Sequence, residues 1–310
     1  MKWTPQQTPS QSGKIIVITG ANSGIGFEAA RQLAACGAHV VLCCRSQAKA
    51  DEALARIRAL VPQASLSTTP LELDNLQSVR AAAATIARAQ PKIDVLINNA
   101  GVMALPRRMT KDGFEMQLGT NHLGHFAFTG LLLAPLLQAH GRVVSVSSIY
   151  HRSGRIDFED LMGERAYKRW AAYSQSKLAN LLFTFELQRR ATRAGRKLSA
   201  VACHPGYAGT NLQFVGPEMD QSPVKRFLMR VGGALVAQSA EHGAWPTVRA
   251  ATEAGLAGGE YFGPGGIAEL RGAPKVVKAV PAAHDEAVAA RLWETSETLT
   301  GVRFSFNAPG

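Results

Sequence analysis

Tyr173 and Lys177 stand four residues apart in Tyr173-Ser174-Gln175-Ser176-Lys177. On a helix that spacing puts both side chains on one face. A phenol titrating near ~10 is a poor acid–base group at neutral pH, and a neighbouring ammonium favours its phenolate. Bringing it to ~7 takes roughly 4 kcal/mol, at about 1.36 kcal/mol per pKa unit. On its own the pair reads as a surface tyrosine beside a solvated lysine. It is accompanied here by Ser147-Ser148, which close an apolar run, Arg142 to Val146. A hydroxyl at such a strand end could hydrogen-bond a substrate carbonyl and favour negative charge developing on its oxygen.

A second constellation lies near the start of the chain. Thr19-Gly20-Ala21-Asn22-Ser23-Gly24-Ile25-Gly26 follows the apolar run Ile15-Ile16-Val17-Ile18 and opens a helical stretch, Phe27 to Cys36. Gly20 permits a tight turn, Gly24 lets backbone approach a pyrophosphate, and Gly26 allows close packing of helix on strand. Unpaired N–H groups around Asn22, Ser23 and Ile25 would face phosphate oxygens. Arg45 follows 19 residues after Gly26, at the end of the second apolar run. An acid there would bind a ribose 2′-hydroxyl, whereas an arginine fork matches a 2′-phosphate. The expected cofactor is therefore NADP(H) rather than NAD. An oxidised nicotinamide near Tyr173 would add to the effect of Lys177 on the phenol. Asp74 ends the third run and could face the adenine or cap the next helix. Asn98-Asn99-Ala100-Gly101 end the fourth with small polar groups, which suits the ligand crevice of an open sheet.

The elements that must hold these residues alternate. Strands are expected at 15–18, 39–44, 66–73, 93–97, 142–146 and 198–203, with helices at 27–36, 46–60, 76–89, 114–138 and 172–194. Short apolar runs between helices indicate parallel strands covered on both faces. The expected fold is α/β, a doubly wound parallel sheet of the Rossmann type. Residues 207–239 show no clear strand, 255–281 are rich in Gly and Pro, and 284–299 read as a last helix. No linker divides the chain. One domain, 1–310, is expected, with a substrate lid at about 207–239 and a C-terminal extension at about 255–310.

With these motifs in this order, the chain resembles the short-chain dehydrogenase/reductase family. The matching residues are Thr19 to Gly26, Asp74, Asn98 to Gly101, Asn121, Ser148, Tyr173, Lys177 and Pro205-Gly206. The resemblance implies that Tyr173 is the general acid/base, and that Lys177 lowers its pKa and holds the nicotinamide ribose. It implies that Ser148, the second serine of its pair, positions the substrate oxygen. Asn121 would hold a water linking Lys177 to solvent, and Pro205, Gly206 and Thr210 would contact the nicotinamide. Tyr173 follows Ser148 by 25 residues, about twice the usual family spacing. That segment, with His151, Gly154-Arg155-Ile156, Leu161, Gly163-Glu164 and Tyr167, is similar to the retinol dehydrogenase branch. So are Cys44-Arg45, Asn121 to Phe126 and Ser176 to Asn180. That branch, similar also to light-dependent protochlorophyllide reductases, implies NADP and lipophilic carbonyls. The extra segment marking the light-driven enzymes is absent. Family members often dimerise or tetramerise through two long helices, here about 114–138 and 172–194.

The expected activity is NADP(H)-dependent interconversion of a carbonyl and an alcohol. The alternatives are reduction of an activated C=C bond by the same geometry, or a cofactor-binding sensor without turnover. Lys+Arg exceed Asp+Glu by 34 − 23 = 11, which suits a polyanionic cofactor. Neither aromatic residues interleaved with basic ones nor a known motif supports nucleic acid as a partner. His122, His125 and His151 fit no common zinc spacing, so no metal is expected, and His204 reads as packing. Phe214 and the run Phe227 to Val231 fall in the expected lid. The four cysteines, Cys36, Cys43, Cys44 and Cys203, contain no CxxC and read as buried apolar groups in a reduced compartment. The first 13 residues are polar, and no run of about 18 apolar residues appears. Vertebrate members of the branch usually carry an N-terminal anchor; without one, this chain is expected in the cytoplasm.

Overall fold

β-branched residues make up the whole first strand, Ile15–Thr19, because both faces of a central parallel strand are buried. In the computed structural model, which describes residues 2–207 and 238–306, they open an eight-stranded sheet of order β3-β2-β1-β4-β5-β6-β7-β8. The strands are β1 (Ile15–Thr19), β2 (His39–Cys44), β3 (Ser65–Pro70), β4 (Val95–Asn98), β5 (Arg142–Val146), β6 (Ser199–Cys203), β7 (Tyr261–Pro264) and β8 (Pro274–Val276). All neighbouring strands pair in parallel except β8, which runs antiparallel to β7 at the edge.

Helices cover both faces, so the fold is the doubly wound one. One layer holds α1 (Gly24–Ala35) and α2 (Gln47–Leu60), with Leu33 and Ile57 packed on Ile16, Ile18, Val40 and Leu42. The other holds α3 (Leu76–Ala89) and α7 (Arg169–Arg193), with Ile86 and Phe183 packed on the opposite faces of the same strands, Val17, Val41, Leu96 and Val143. Alternate residues of each strand thus feed two separate cores. Ser46 caps α2 by accepting the Lys49 N–H, as its position suggests. Asn75, not Asp74, caps α3, accepting from Gln77 and Ser78 N–H. The capping alternative for Asp74 is thereby removed.

The expected continuous helix at 114–138 is corrected. It is a chain of short pieces: α4 (Met116–Leu118), a π-helical turn (Gly119–Leu123), α5 (Gly124–Leu131) and α6 (Leu133–Gln138). A close approach accompanies the break: a Cβ on Gly124 would lie 2.4 Å from the Leu73 carbonyl oxygen. The backbone passes Leu73 where the π-helical turn gives way to α5. The third strand ends at Pro70 rather than Leu73; the Leu71 N–H still donates to the Cys44 carbonyl at 2.9 Å, and beyond it β2 has ended.

The segment after residue 238 adds α8 (Ala240–Thr252), β7, β8 and α9 (Glu286–Thr300). The Gly/Pro-rich stretch 255–281 therefore contains two strands of the main sheet. Trp293 of α9 stacks on Phe183 at 5.7 Å and meets Phe304 at 4.5 Å, joining the chain's end to the core. Most of the expected lid, with Phe214, Phe227 to Val231 and Thr210, lies outside the described residues. Among the described residues, no helix is long and apolar enough to cross a membrane.

Candidate active site

The glycine loop leaves β1 with Gly20 at φ 68° and Gly24 at φ 56°. Both are left-handed values that favour glycine. A Cβ on Gly20 would sit 2.9 Å from the Ala100 Cβ, and one on Gly26 would sit 2.4 Å from the Asn99 Nδ2. The first turn of α1 packs so tightly against the loops after β1 and β4 that only hydrogen fits at Gly26. Ser23 occupies the N-cap of α1, yet its side chain caps nothing. The first-turn amides of α1 thus remain available to an anion. Cys44 lies beneath the loop, where the Ala21 and Asn22 backbone favours its thiolate against burial. Burial pushes its thiol up to about 11. Arg45 follows it, exposed, with no ion pair among the described residues.

A buried network ties that loop to the centre of the site. Thr19 Oγ1 accepts the N–H groups of Asn99 and Ala100, at 2.9 and 3.0 Å. Asn99 in turn donates its side-chain amide to the Thr19 carbonyl at 2.8 Å. His125 closes the network, with Nε2 2.8 Å from the Thr19 hydroxyl and Nδ1 3.0 Å from the Asn121 carbonyl. A carbonyl can only accept, so Nδ1 carries the proton and Nε2 accepts from Thr19. Burial holds this imidazole down at about 4. His125 therefore fixes backbone as a neutral ring, a structural role the sequence did not single out.

Asn121 sits in the π-helical turn. Its Oδ1 accepts the Val102 N–H at 2.8 Å, and its Nδ2 donates to Val102 O and Ser176 Oγ, both at 2.9 Å. The turn thus aims Asn121 at the segment after Gly101. A Cβ on Gly101 would meet Asn121 Oδ1 at 3.0 Å and Lys177 Nζ at 3.5 Å. Bare backbone is what allows β4's end to approach the lysine.

Tyr173 and Lys177 share one face of α7, and both are buried. The Lys177 ammonium lies 5.7 Å from the centre of the Tyr173 ring and donates to the Val146 carbonyl at 3.2 Å. Burial pushes the phenol up to about 12, while its hydrogen bond with the Ser148 hydroxyl acts the other way. Burial also brings Lys177 down to about 8. The two serines divide their work. Ser147 donates to the Lys177 carbonyl at 2.8 Å and so anchors α7. Ser148 accepts the Tyr150 N–H at 3.3 Å and reaches Tyr173. Around this pair, Tyr150 stacks on Trp170 at 4.8 Å, and both rings meet Tyr173 edge-on at 5.7 and 6.3 Å. Tyr150 and Trp170 remain 36% and 40% exposed, forming an aromatic wall beside the buried phenol.

Asp74 is half-buried beyond β3, and Pro205-Gly206 follow β6 with Gly206 at φ 69°. The histidines are placed apart: His122 bonds Ser296 at 2.9 Å, and His151 bonds the Ser148 carbonyl at 2.6 Å. Among the described residues, no three potential ligands converge on a metal position.

A parallel sheet with a glycine loop at one switch point and a buried Ser/Tyr/Lys cluster beside it defines a class of dinucleotide-dependent oxidoreductase. The chain belongs to the short chain dehydrogenase family, whose model matches residues 14–218, and family members use NAD(P). Its similarity to retinol dehydrogenases places it in their branch. Retinol dehydrogenase 14 of Mus musculus is 40% identical over 303 residues, covering 94% of this chain and 86% of that protein. Retinol dehydrogenase 13 of Homo sapiens is 41% identical over 295 residues, covering 94% and 85%. A crystal structure of an uncharacterised protein from Mycobacterium paratuberculosis matches with 42% identity and a TM-score of 0.81, covering 98% of this chain and all of that one. RhlG of Pseudomonas aeruginosa, solved as an active-site complex with NADP, shares the fold at 20% identity with a TM-score of 0.64, covering 81% and 94%.

Proposed function

We propose that the protein is an NADP(H)-dependent oxidoreductase interconverting the carbonyl and alcohol forms of a lipophilic substrate. The observation that carries this is the buried Tyr173 phenol, with the Lys177 ammonium 5.7 Å from the centre of its ring and the Ser148 hydroxyl acting to lower its pKa. Two hydroxyls so placed converge on a single substrate oxygen. In the reducing direction Tyr173 gives that oxygen its phenolic proton, and in the oxidising direction it takes the proton back. Ser148 accepts a backbone amide, and the proton it directs at the phenol would turn to the same oxygen when substrate binds. Lys177, near 8, is mostly protonated at pH 7 and favours the phenolate when it forms. The cofactor, when bound, supplies or accepts the hydride.

The residues fit that cofactor. A Cβ would fill the cradle at Gly20 and Gly26, and the uncapped first turn of α1 suits a pyrophosphate. Arg45, exposed at the end of β2, supports NADP over NAD because its fork can pair with a 2′-phosphate. Asp74, Asn99, Ala100, Pro205 and Gly206 would line the rest, and Thr210 is assigned with them. The Tyr150/Trp170 wall supports a lipophilic substrate, since apolar surface buried there is favoured. Four unpaired cysteines accord with a reducing, cytoplasmic setting.

Tyr173→Phe tests the reading with NADPH and a panel of aldehydes and ketones. The variant keeps NADPH affinity and loses turnover by at least about 100-fold, the lower range for a general acid. Turnover near that of the unaltered protein would refute the assignment.

A further inference from the structure

His204, Glu269 and Arg152 form a hydrogen-bonded chain that none of the proposed catalytic steps uses. His204 follows β6 and is fully buried. Its Nδ1 accepts the Gly206 N–H at 3.2 Å, and its Nε2 lies 3.0 Å from Glu269 Oε2. An accepting Nδ1 requires the proton on Nε2, so a neutral ring donates to the carboxylate. The same carboxylate oxygen takes Arg152 Nη2 at 2.8 Å. Arg152 belongs to the 3₁₀ turn Ile149–Ser153, whose N-cap is Ser148. One oxygen thus joins the turn after Ser148 to the turn after β6.

The backbone is arranged around this contact at a cost. Ala268 and Glu269 adopt φ of 50° and 57°, left-handed values that non-glycine residues avoid. A Cβ on Gly206 would lie 2.4 Å from Leu270 O and 2.9 Å from Glu269 O. Tyr207 N–H donates to Leu270 O at 2.9 Å. The Pro205–Gly206 turn is therefore nested on the strained loop and held by it. Gly263 of β7 completes the fit, because a Cβ there would collide with the His204 ring.

We propose that Glu269 and His204 are positioning residues that lock the Pro205–Gly206 turn, through Arg152, at a fixed distance from Ser148. This rests on the reading of that turn as the nicotinamide side of the site. Strain concentrated on the residue that presents the carboxylate favours this over packing alone. A carboxylate meant only to satisfy a buried histidine could be carried on unstrained backbone.

The test uses Glu269→Ala and Glu269→Gln in the full chain, with NADPH and the best carbonyl substrate of the panel. Displacement of positioning groups commonly costs about 10-fold or more. Glu269→Ala should therefore lower kcat by about tenfold and weaken NADPH binding, leaving the carbonyl KM within about twofold. Glu269→Gln keeps an acceptor for Nε2–H and should recover most of that loss. In nitrogen NMR, His204 should keep one tautomer in Glu269→Gln and lose it in Glu269→Ala. His204→Asn, which keeps an acceptor near the Nδ1 position, should retain more kcat than His204→Leu. Wild-type kcat and NADPH affinity in Glu269→Ala would overturn the inference alone. So would equal defects in Glu269→Ala and Glu269→Gln. No turnover by the unaltered protein would instead sink the proposed function beneath it.

Discussion

Arg45 shows how much a single side chain decides. It stands exposed at the end of β2, one residue past the cysteine that supports the glycine loop. A guanidinium there adds affinity only for a ligand with charge to match it. Arg45→Ala should weaken NADPH binding by about 10-fold or more and change NADH binding little, as loss of a charge-assisted pair worth about 1.5–3 kcal/mol predicts. Titration of cofactor fluorescence with both nucleotides measures this. An equal loss for both would remove the 2′-phosphate role. Arg45 was legible because its position follows from counting past Gly26. The environment of Tyr173 was not. Helical spacing put Lys177 on its face, but burial pushes the phenol up to about 12, and burial depends on the whole fold.

At the scale of elements, the site depends on joints rather than on helices and strands alone. Thr19 Oγ1 serves two amides of the β4 loop and the ring of His125 at once. It thereby joins β1, the end of β4 and the π-helical turn bearing Asn121. Thr19→Val keeps the shape but leaves two partly buried N–H groups without that acceptor, at about 1–3 kcal/mol each when buried. We expect a loss of about 2–4 kcal/mol in urea unfolding, with weakened NADPH binding. A loss under about 0.5 kcal/mol would mean the joint is dispensable. This joint escaped the sequence because a threonine ending a strand is unremarkable until its neighbours are known. The helix expected over 114–138 failed for a similar reason. Its composition is helical throughout, and the close approach of Gly124 to Leu73 O, which accompanies the break, is a tertiary fact.

At the scale of the molecule, four histidines among the described residues, His122, His125, His151 and His204, are buried in neutral form. Burial holds His122 down at about 3, and His125 and His151 at about 4. In the unfolded chain they titrate near ~6.5. Below that value the unfolded state binds protons that the native state refuses until about pH 4. Their stabilising contribution is thus complete above ~6.5 and is lost as pH falls toward 4. Tm should decline steadily between pH 7 and pH 4.5, and a flat or rising Tm over that window would contradict the assignment. Under the proposed function, part of the positive charge, an excess of 11, would act at Arg45 and Lys177, while the general field would draw in an anionic cofactor. The C-terminal segment also acts at this scale. It completes the sheet with β7 and β8 and seats Trp293 against Phe183.

The sequence by itself determined the alternation of strands and helices, and it put forward the glycine loop, Arg45, Ser148, Tyr173 and Lys177 as candidates. Each depends on local spacing or on residue type at the end of an apolar run, and such signals survive in one dimension. Only the tertiary structure decided which groups are buried, and hence which way they titrate. It alone separated Ser147, which anchors α7, from Ser148, which reaches Tyr173. It also found β7 and β8 within a Gly/Pro-rich stretch, because those strands are held by pairing with a sheet already formed. The chain of Arg152, Glu269 and His204 spans residues 152 to 269, a separation that no local pattern encodes.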